Sequence, residues 1–198
     1  MPATAPEITT AASAPRVLLF GHPGSGKSSL LGALLQASDT QPDRLEAEVT
    51  DPDRRLELMR DAVYGGGPVE QDRAPLVTHV IEVRPLAIEG EPVPTPYQVV
   101  LMDCDGTAAG ALLKHPDPLT QPSVRGPVAH AVVECDALLL VVNAGAGEAA
   151  LRRAFDDFLI FLERVQGRKA FAREVGGFPI FVVLTQCDRL AEPQDNTA

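Results

Sequence analysis

The 198-residue sequence predicts an α/β domain of three layers, in which a mostly parallel sheet with one antiparallel hairpin strand lies between helices. Three observations carry this. Short apolar runs alternate with segments of helical period. The first run opens straight into a glycine-rich turn and a leucine-faced helix. Two later runs, DALLLVVNAG and FPIFVVLTQCD, are apolar throughout, as strands covered on both faces are.

The length suits one domain with a sizeable core. Residues 1–15, rich in Ala, Thr and Pro, are expected to be a flexible tail, 16–190 the domain and 191–198 a polar tail. From Arg16, RVLLF reads as a strand and SSLLGALLQA as a helix. A polar connection leads to DPDRRLELMRDAVYGGG, where Asp51 can cap a helix, Pro52 can take its first position and Gly65 can end it. Leu56, Met59 and Val63 would form its buried stripe. PLVTHVIEVRPLAI and YQVVLMDCDG then read as strands, and their short Pro-rich connection favours an antiparallel pair. Further on come helices at about 107–114 and 128–135. The clearest amphipathic helix spans 148–165, with Leu151, Ala154, Phe155, Phe158, Leu162 and Val165 on one side. FPIFVVLTQCD supplies a last, buried strand. Ligands of such sheets gather at the carboxyl ends of the strands, where Phe20, Asp103, Asn143 and Thr185 all fall.

Net charge sets limits on partners. With 17 Lys and Arg against 27 Asp and Glu, the chain carries −10, which argues against general binding to nucleic acid or an anionic membrane. No stretch approaches the ~20 apolar residues of a membrane span. The N-terminus lacks the basic start and apolar core of a signal peptide. Three cysteines, Cys104, Cys135 and Cys187, sit in apolar runs, as buried thiols of a reducing compartment do, and the cytoplasm is the expected location. His79, His115 and His130 lack zinc-site spacing.

The chemistry concentrates in FGHPGSGKSSL. A phosphate cradle needs inward-facing backbone N–H groups, a cation and the positive end of a helix. Gly21, Gly24 and Gly26 permit the tight path, and Lys27 brings charge to the β- and γ-oxygens. Ser28 can ligate Mg²⁺, and Ser25 and Ser29 complete the expected phosphate-binding set. His22 and Pro23 are read as shaping the loop. At the end of YQVVLMD, Asp103 can hold the Mg²⁺ shell and Gly106 can bring its N–H to a γ-phosphate. The plainer reading of DCDG is a turn, the role expected of Asp105.

With GHPGSGKS, DCDG as a DxxG motif and TQCD as a variant of N/TKxD, the chain from about Arg16 to Asp188 resembles the Ras-like P-loop GTPases. The resemblance implies a P-loop NTPase fold, GTP or GDP as ligand, Mg²⁺ as cofactor, and a protein effector or activating partner. It places Lys27 on the phosphates, Ser28 and Asp103 around Mg²⁺, Gly106 on the γ-phosphate, and Thr185, Gln186 and Asp188 at the base. Guanine offers two donors to one carboxylate and adenine does not. Gln186 replaces a Lys whose stem stacks under the base, so adenine or no discrimination stays open, as does a mere strand-ending turn. Thr78, 25 residues before Asp103, is the candidate for the threonine that joins Mg²⁺ and γ-phosphate and, with Lys27, takes a catalytic role. It could equally be a β-former inside its strand, and Thr40 and Thr50 compete with it. Thr107 stands where many members keep a water-positioning Gln, which implies slow or partner-stimulated hydrolysis and a switch-like role. A P-loop ATPase or kinase, or a scaffold without turnover, are the alternatives. The family continues past this motif into another strand and helix; on that pattern FPIFVVL becomes an apolar edge, and either the sequence is a fragment or a partner chain completes the fold.

Overall fold

The computed structural model describes residues 14–66, 74–87, 90, 92–121, 126–169 and 178–190. Of the tails expected at 1–15 and 191–198 only Ala14 and Pro15 lie among them, and the Pro15 carbonyl accepts the Val100 N–H at 2.9 Å. The chain is α/β, with a mixed six-stranded sheet that is mostly parallel and has one antiparallel hairpin. The strands are β1 (Arg16–Phe20), β2 (Ala47–Thr50), β3 (Leu76–Pro85), β4 (Tyr97–Cys104), β5 (Ala137–Asn143) and β6 (Ile180–Thr185). Their order is β2-β3-β4-β1-β5-β6. Helices α1 (Lys27–Thr40), α2 (Pro42–Leu45), α3 (Arg55–Gly65), α4 (Gly106–Lys114), α5 (Asp117–Thr120), α6 (Pro127–Glu134) and α7 (Glu148–Lys169) connect them. No described helix is long and apolar enough to cross a membrane.

The chain divides into two compact units. The first comprises Met1–Val17, Ser28–Asp72 and Thr78–Leu101. In it α1 buries Leu31 and Leu35, and the Ser38 hydroxyl accepts the Val49 N–H at 2.7 Å, fastening β2 to the helix. Strand β2 runs antiparallel to β3, with Val49 opposite Val83. The sequence reading left residues 47–50 in a connection. Only Val49 of the four is buried, so the strand presents no alternation long enough to recognise. Helix α3 begins at Arg55, three residues later than the Pro52 start expected for it. Asp51 still supplies the cap from a distance, its carboxylate accepting the Leu56 N–H at 2.5 Å while the chain passes through a left-handed Arg54 (φ 58°). The helix closes on Gly66, at φ 72°, one residue beyond the expected Gly65.

The second unit comprises Leu18–Lys27, Arg73–Val77 and Met102–Ala198. Leu18, Leu19 and Phe20 of β1 are at most 1% exposed, which accounts for an apolar run with no alternation. Strand β5 is buried likewise, at Leu138, Leu140, Val141 and Val142, and pairs in parallel with β6, with Asn143 beside Thr185. Helix α7 turns Phe158, Phe161 and Val165 inward. Phe161 stacks on Phe20 with centroids 4.6 Å apart. Phe155, expected on that face, is 38% exposed; the helix is rotated so that Phe161, absent from the expected stripe, takes the core position. Strand β6 departs from its reading as buried and takes the edge position also expected for FPIFVVL. Among the described strands it ends the order beside β5, leaving Phe181, Val182 and Leu184 more than half exposed. Cys104 and Cys135 are buried as expected, but Cys187 lies in the short 3₁₀ turn Cys187–Leu190 after β6 and is exposed.

Candidate functional site

The polar residues at the carboxyl ends of the second unit's strands meet around the glycine turn. After Phe20 the backbone at Gly21 runs so close to β5 that a Cβ there would overlap the Val141 carbonyl oxygen. Only glycine fits. The turn closes through the Ser25 N–H donating to the His22 carbonyl at 3.2 Å, and it passes Gly24 and Gly26 at φ 72° and 86°. Lys27, the first residue of α1, is buried, and its ammonium donates back into the loop. It reaches the carbonyls of Gly21 (3.1 Å) and His22 (3.2 Å) and the Ser25 hydroxyl (3.5 Å). A cation is thus held inside a turn that ends at a helix N-terminus. Ser28 and Ser29 occupy the next positions of α1, half-buried and exposed respectively.

TQCD is bonded to this loop. The Thr185 hydroxyl donates to the Ser25 carbonyl at 2.6 Å and lies 3.1 Å from the Val142 carbonyl. The Gln186 amide donates to the Gly24 carbonyl at 3.1 Å, and Asn143 Nδ2 approaches the same oxygen at 3.5 Å. Gln186 adopts φ 54°, a left-handed conformation that turns the chain out of β6 into the 3₁₀ turn carrying Asp188. Asp188 is exposed. The side chain of the neighbouring Arg189 lies against Gly145, in the 3₁₀ turn Ala144–Ala146 that follows β5.

DCDG forms the third side. Asp103 is buried, 8% exposed, one residue before the end of β4. Cys104 donates its thiol to the Leu19 carbonyl at 3.0 Å, and burial pushes that thiol up to about 12, with the Lys27 charge opposing and the Asp103 charge adding. Asp105 caps α4, accepting the N–H groups of Thr107 (3.0 Å) and Ala108 (2.9 Å), in keeping with a turn role. Gly106 is the first residue of that helix, and its backbone abuts the loop: a Cβ would stand 2.5 Å from Pro23 Cα.

Thr78 is exposed, the third residue of β3, in the first unit. Of its competitors, Thr40 spends its hydroxyl on the Gln36 carbonyl at 2.7 Å, and Thr50 is exposed at the end of β2. Thr107 is also exposed. Among the described residues no three His, Cys, Asp or Glu side chains form a metal-holding group. A site built on one serine hydroxyl, one carboxylate and the phosphates of a bound nucleotide would not form such a group, because Mg²⁺ keeps waters and takes few protein ligands.

Two features escaped sequence reasoning. Asn143 was placed at the cleft by its strand-end position, but its approach to Gly24 depends on the β5–β6 register. Asp157 carries no signal of a site role in the sequence, yet its carboxylate lies 3.5 Å from His22 Nε2.

Neither the protein-family models nor the curated proteins contain a match to this chain.

Proposed function

We propose that the chain is a guanine-nucleotide-binding P-loop protein of Ras-like type, which binds GTP and GDP with Mg²⁺ and hydrolyses GTP slowly or under the stimulus of a partner. The observation that carries this reading is a loop that encloses its own lysine and is bonded to a second, separate motif. Lys27 is aimed into a strand-to-helix glycine turn, and Thr185 and Gln186 of TQCD hold the carbonyls of that turn. A turn needed only for chain reversal has no use for a buried ammonium at its centre. A phosphate does, because the ammonium and the α1 terminus then meet an anion.

The proposal assigns each residue a role. Gly21, Gly24, Ser25, Gly26 and Lys27 would cradle the phosphates, and Ser28 and Asp103 would hold Mg²⁺, which neutralises charge developing on the phosphoryl oxygens. Gly106, at the start of α4, would present its N–H to the γ-phosphate and so couple the nucleotide state to that helix. Asp188 would accept the two guanine donors. Thr78 remains the proposed γ-phosphate threonine.

Titration with fluorescent GDP, GTP and ATP, with and without Mg²⁺, tests this. Guanine nucleotides bound in preference to ATP, and more tightly with Mg²⁺, are the expected result; no nucleotide binding, or a preference for ATP, would overturn it. Thr107 favours a second reading, a nucleotide-binding scaffold without turnover, since no amide stands at the water-positioning place. Single-turnover GTP decay separates the two.

A further inference from the structure

We propose that His22 is a positioning residue of the phosphate loop, and that Asp157 on α7 holds it so that this helix fixes the direction in which Lys27 meets a bound phosphate. The inference rests on the nucleotide-binding reading and adds to it a contact outside the three motifs.

The His22 carbonyl accepts two donors, the Lys27 ammonium at 3.2 Å and the Ser25 N–H at 3.2 Å. Rotating that one peptide group would release both the cation and the turn. What stops the rotation lies on either side of it. Pro23 has a fixed φ, and its backbone is wedged against Gly106. On the other side the imidazole is anchored: Nε2 lies 3.5 Å from Asp157 Oδ2, and the ring is tilted against the buried Phe158 with centroids 5.9 Å apart. One turn further along α7, Phe161 stacks on Phe20, immediately before the loop. Asp157, Phe158 and Phe161 therefore brace the loop's entry from one helix face. The imidazole and carboxylate are only 30% and 37% exposed, so water screens the pair in part.

The test compares wild type with His22→Ala, His22→Gln, Asp157→Ala, Asp157→Asn and the double alanine variant. Two readouts are used: dissociation of fluorescent GDP in the presence of Mg²⁺, and amide hydrogen exchange of residues 21–27 in ligand-free protein. Each single alanine variant is expected to release GDP about two- to fivefold faster, the effect of losing a half-exposed pair, and to exchange faster in the loop. The double variant is expected to be no worse than either single one. Gln at 22 retains an N–H donor and Asn at 157 an acceptor, so both should return to within about twofold of wild type. Unchanged exchange in His22→Ala, additive effects in the double variant, or a His22→Gln protein as impaired as His22→Ala would each overturn the proposal. Should His22→Ala fail to fold, the Asp157 pair and His22→Gln decide it. A wild-type protein that binds no nucleotide defeats the functional reading instead, and exchange alone then decides whether the latch exists.

Discussion

Replacing Thr185 by Val tests whether TQCD anchors the glycine turn. The change keeps the side chain's shape and removes the hydroxyl that donates to the Ser25 carbonyl at 2.6 Å, with the Val142 carbonyl at 3.1 Å. One net hydrogen bond contributes about 1 kcal/mol, and the carbonyl of the buried Ser25, left short of a donor, raises the loss to about 1–2 kcal/mol. For a chain of this length each kcal/mol lowers the midpoint of thermal unfolding by about 2–4 °C, so a fall of about 2–8 °C is expected in ligand-free protein. GDP affinity should weaken as well, since the loop loses its tie to β6. Thr185→Ser keeps the donor and should lie closer to wild type. Thermal unfolding followed by circular dichroism, with GDP titration alongside, measures both effects. A Thr185→Val protein that melts within about 1 °C of wild type and binds GDP equally well would refute the argument that this hydroxyl anchors the loop.

Three further outcomes follow from the same geometry. Gly106→Ala puts a Cβ 2.5 Å from the Pro23 backbone; overpacking of backbone against backbone should cost about 3 kcal/mol, read from the urea midpoint, and weaken GTP more than GDP. Asp188→Asn should remove guanine preference while leaving protein stability unchanged, because the side chain is exposed; competition of GDP against ADP measures it. Cys187 alone should react quickly with a thiol reagent at pH 8, since the raised pKa of Cys104 keeps it a thiol. The same raised pKa makes folding favour the protonated form. That contribution is complete below about 9, where the unfolded thiol begins to ionise, and is lost as pH rises toward 12, so urea midpoints should fall over that window and Cys104→Ser should flatten the fall.

The strand, glycine turn and helix at residues 16–40 and the strand ends at DCDG and TQCD were legible because their signals are local. A glycine spacing, a strand before it and a helix after it all lie within a dozen residues, and the structure places them as read. What escaped depends on tertiary geometry. Strand β2 exists because Ser38 and β3 receive a four-residue segment with one buried side chain. The inward face of α7 could not be assigned from period alone, since Phe155, Leu159, Ile160 and Phe161 follow one another too densely to mark a single stripe, and the stack on Phe20 selects among them. Continuous apolarity made β6 look buried; burial on both faces also needs a neighbour on each side, a property of strand order that composition does not carry.

Gln186 shows how a site can depart from a motif while keeping its mechanical part. Where the resemblance leads one to expect a lysine stem beneath the base, this chain has an amide whose nitrogen donates to the Gly24 carbonyl. A lysine ammonium can make the same donation, so the loop tie does not require glutamine. The amide brings a liability as well: its Oε1 is buried without a hydrogen-bond partner among the described residues, and such an acceptor costs about 1–3 kcal/mol. Gln186→Lys should therefore preserve the tie, remove the orphaned acceptor and lengthen the apolar stem, giving stability no lower than wild type and slower GDP release. Gln186→Ala loses the donor together with the acceptor and should release GDP faster. The pair of dissociation rates is decisive in sign: a lysine variant that releases GDP as fast as the alanine variant would mean that the Gly24 contact has no part in holding the nucleotide.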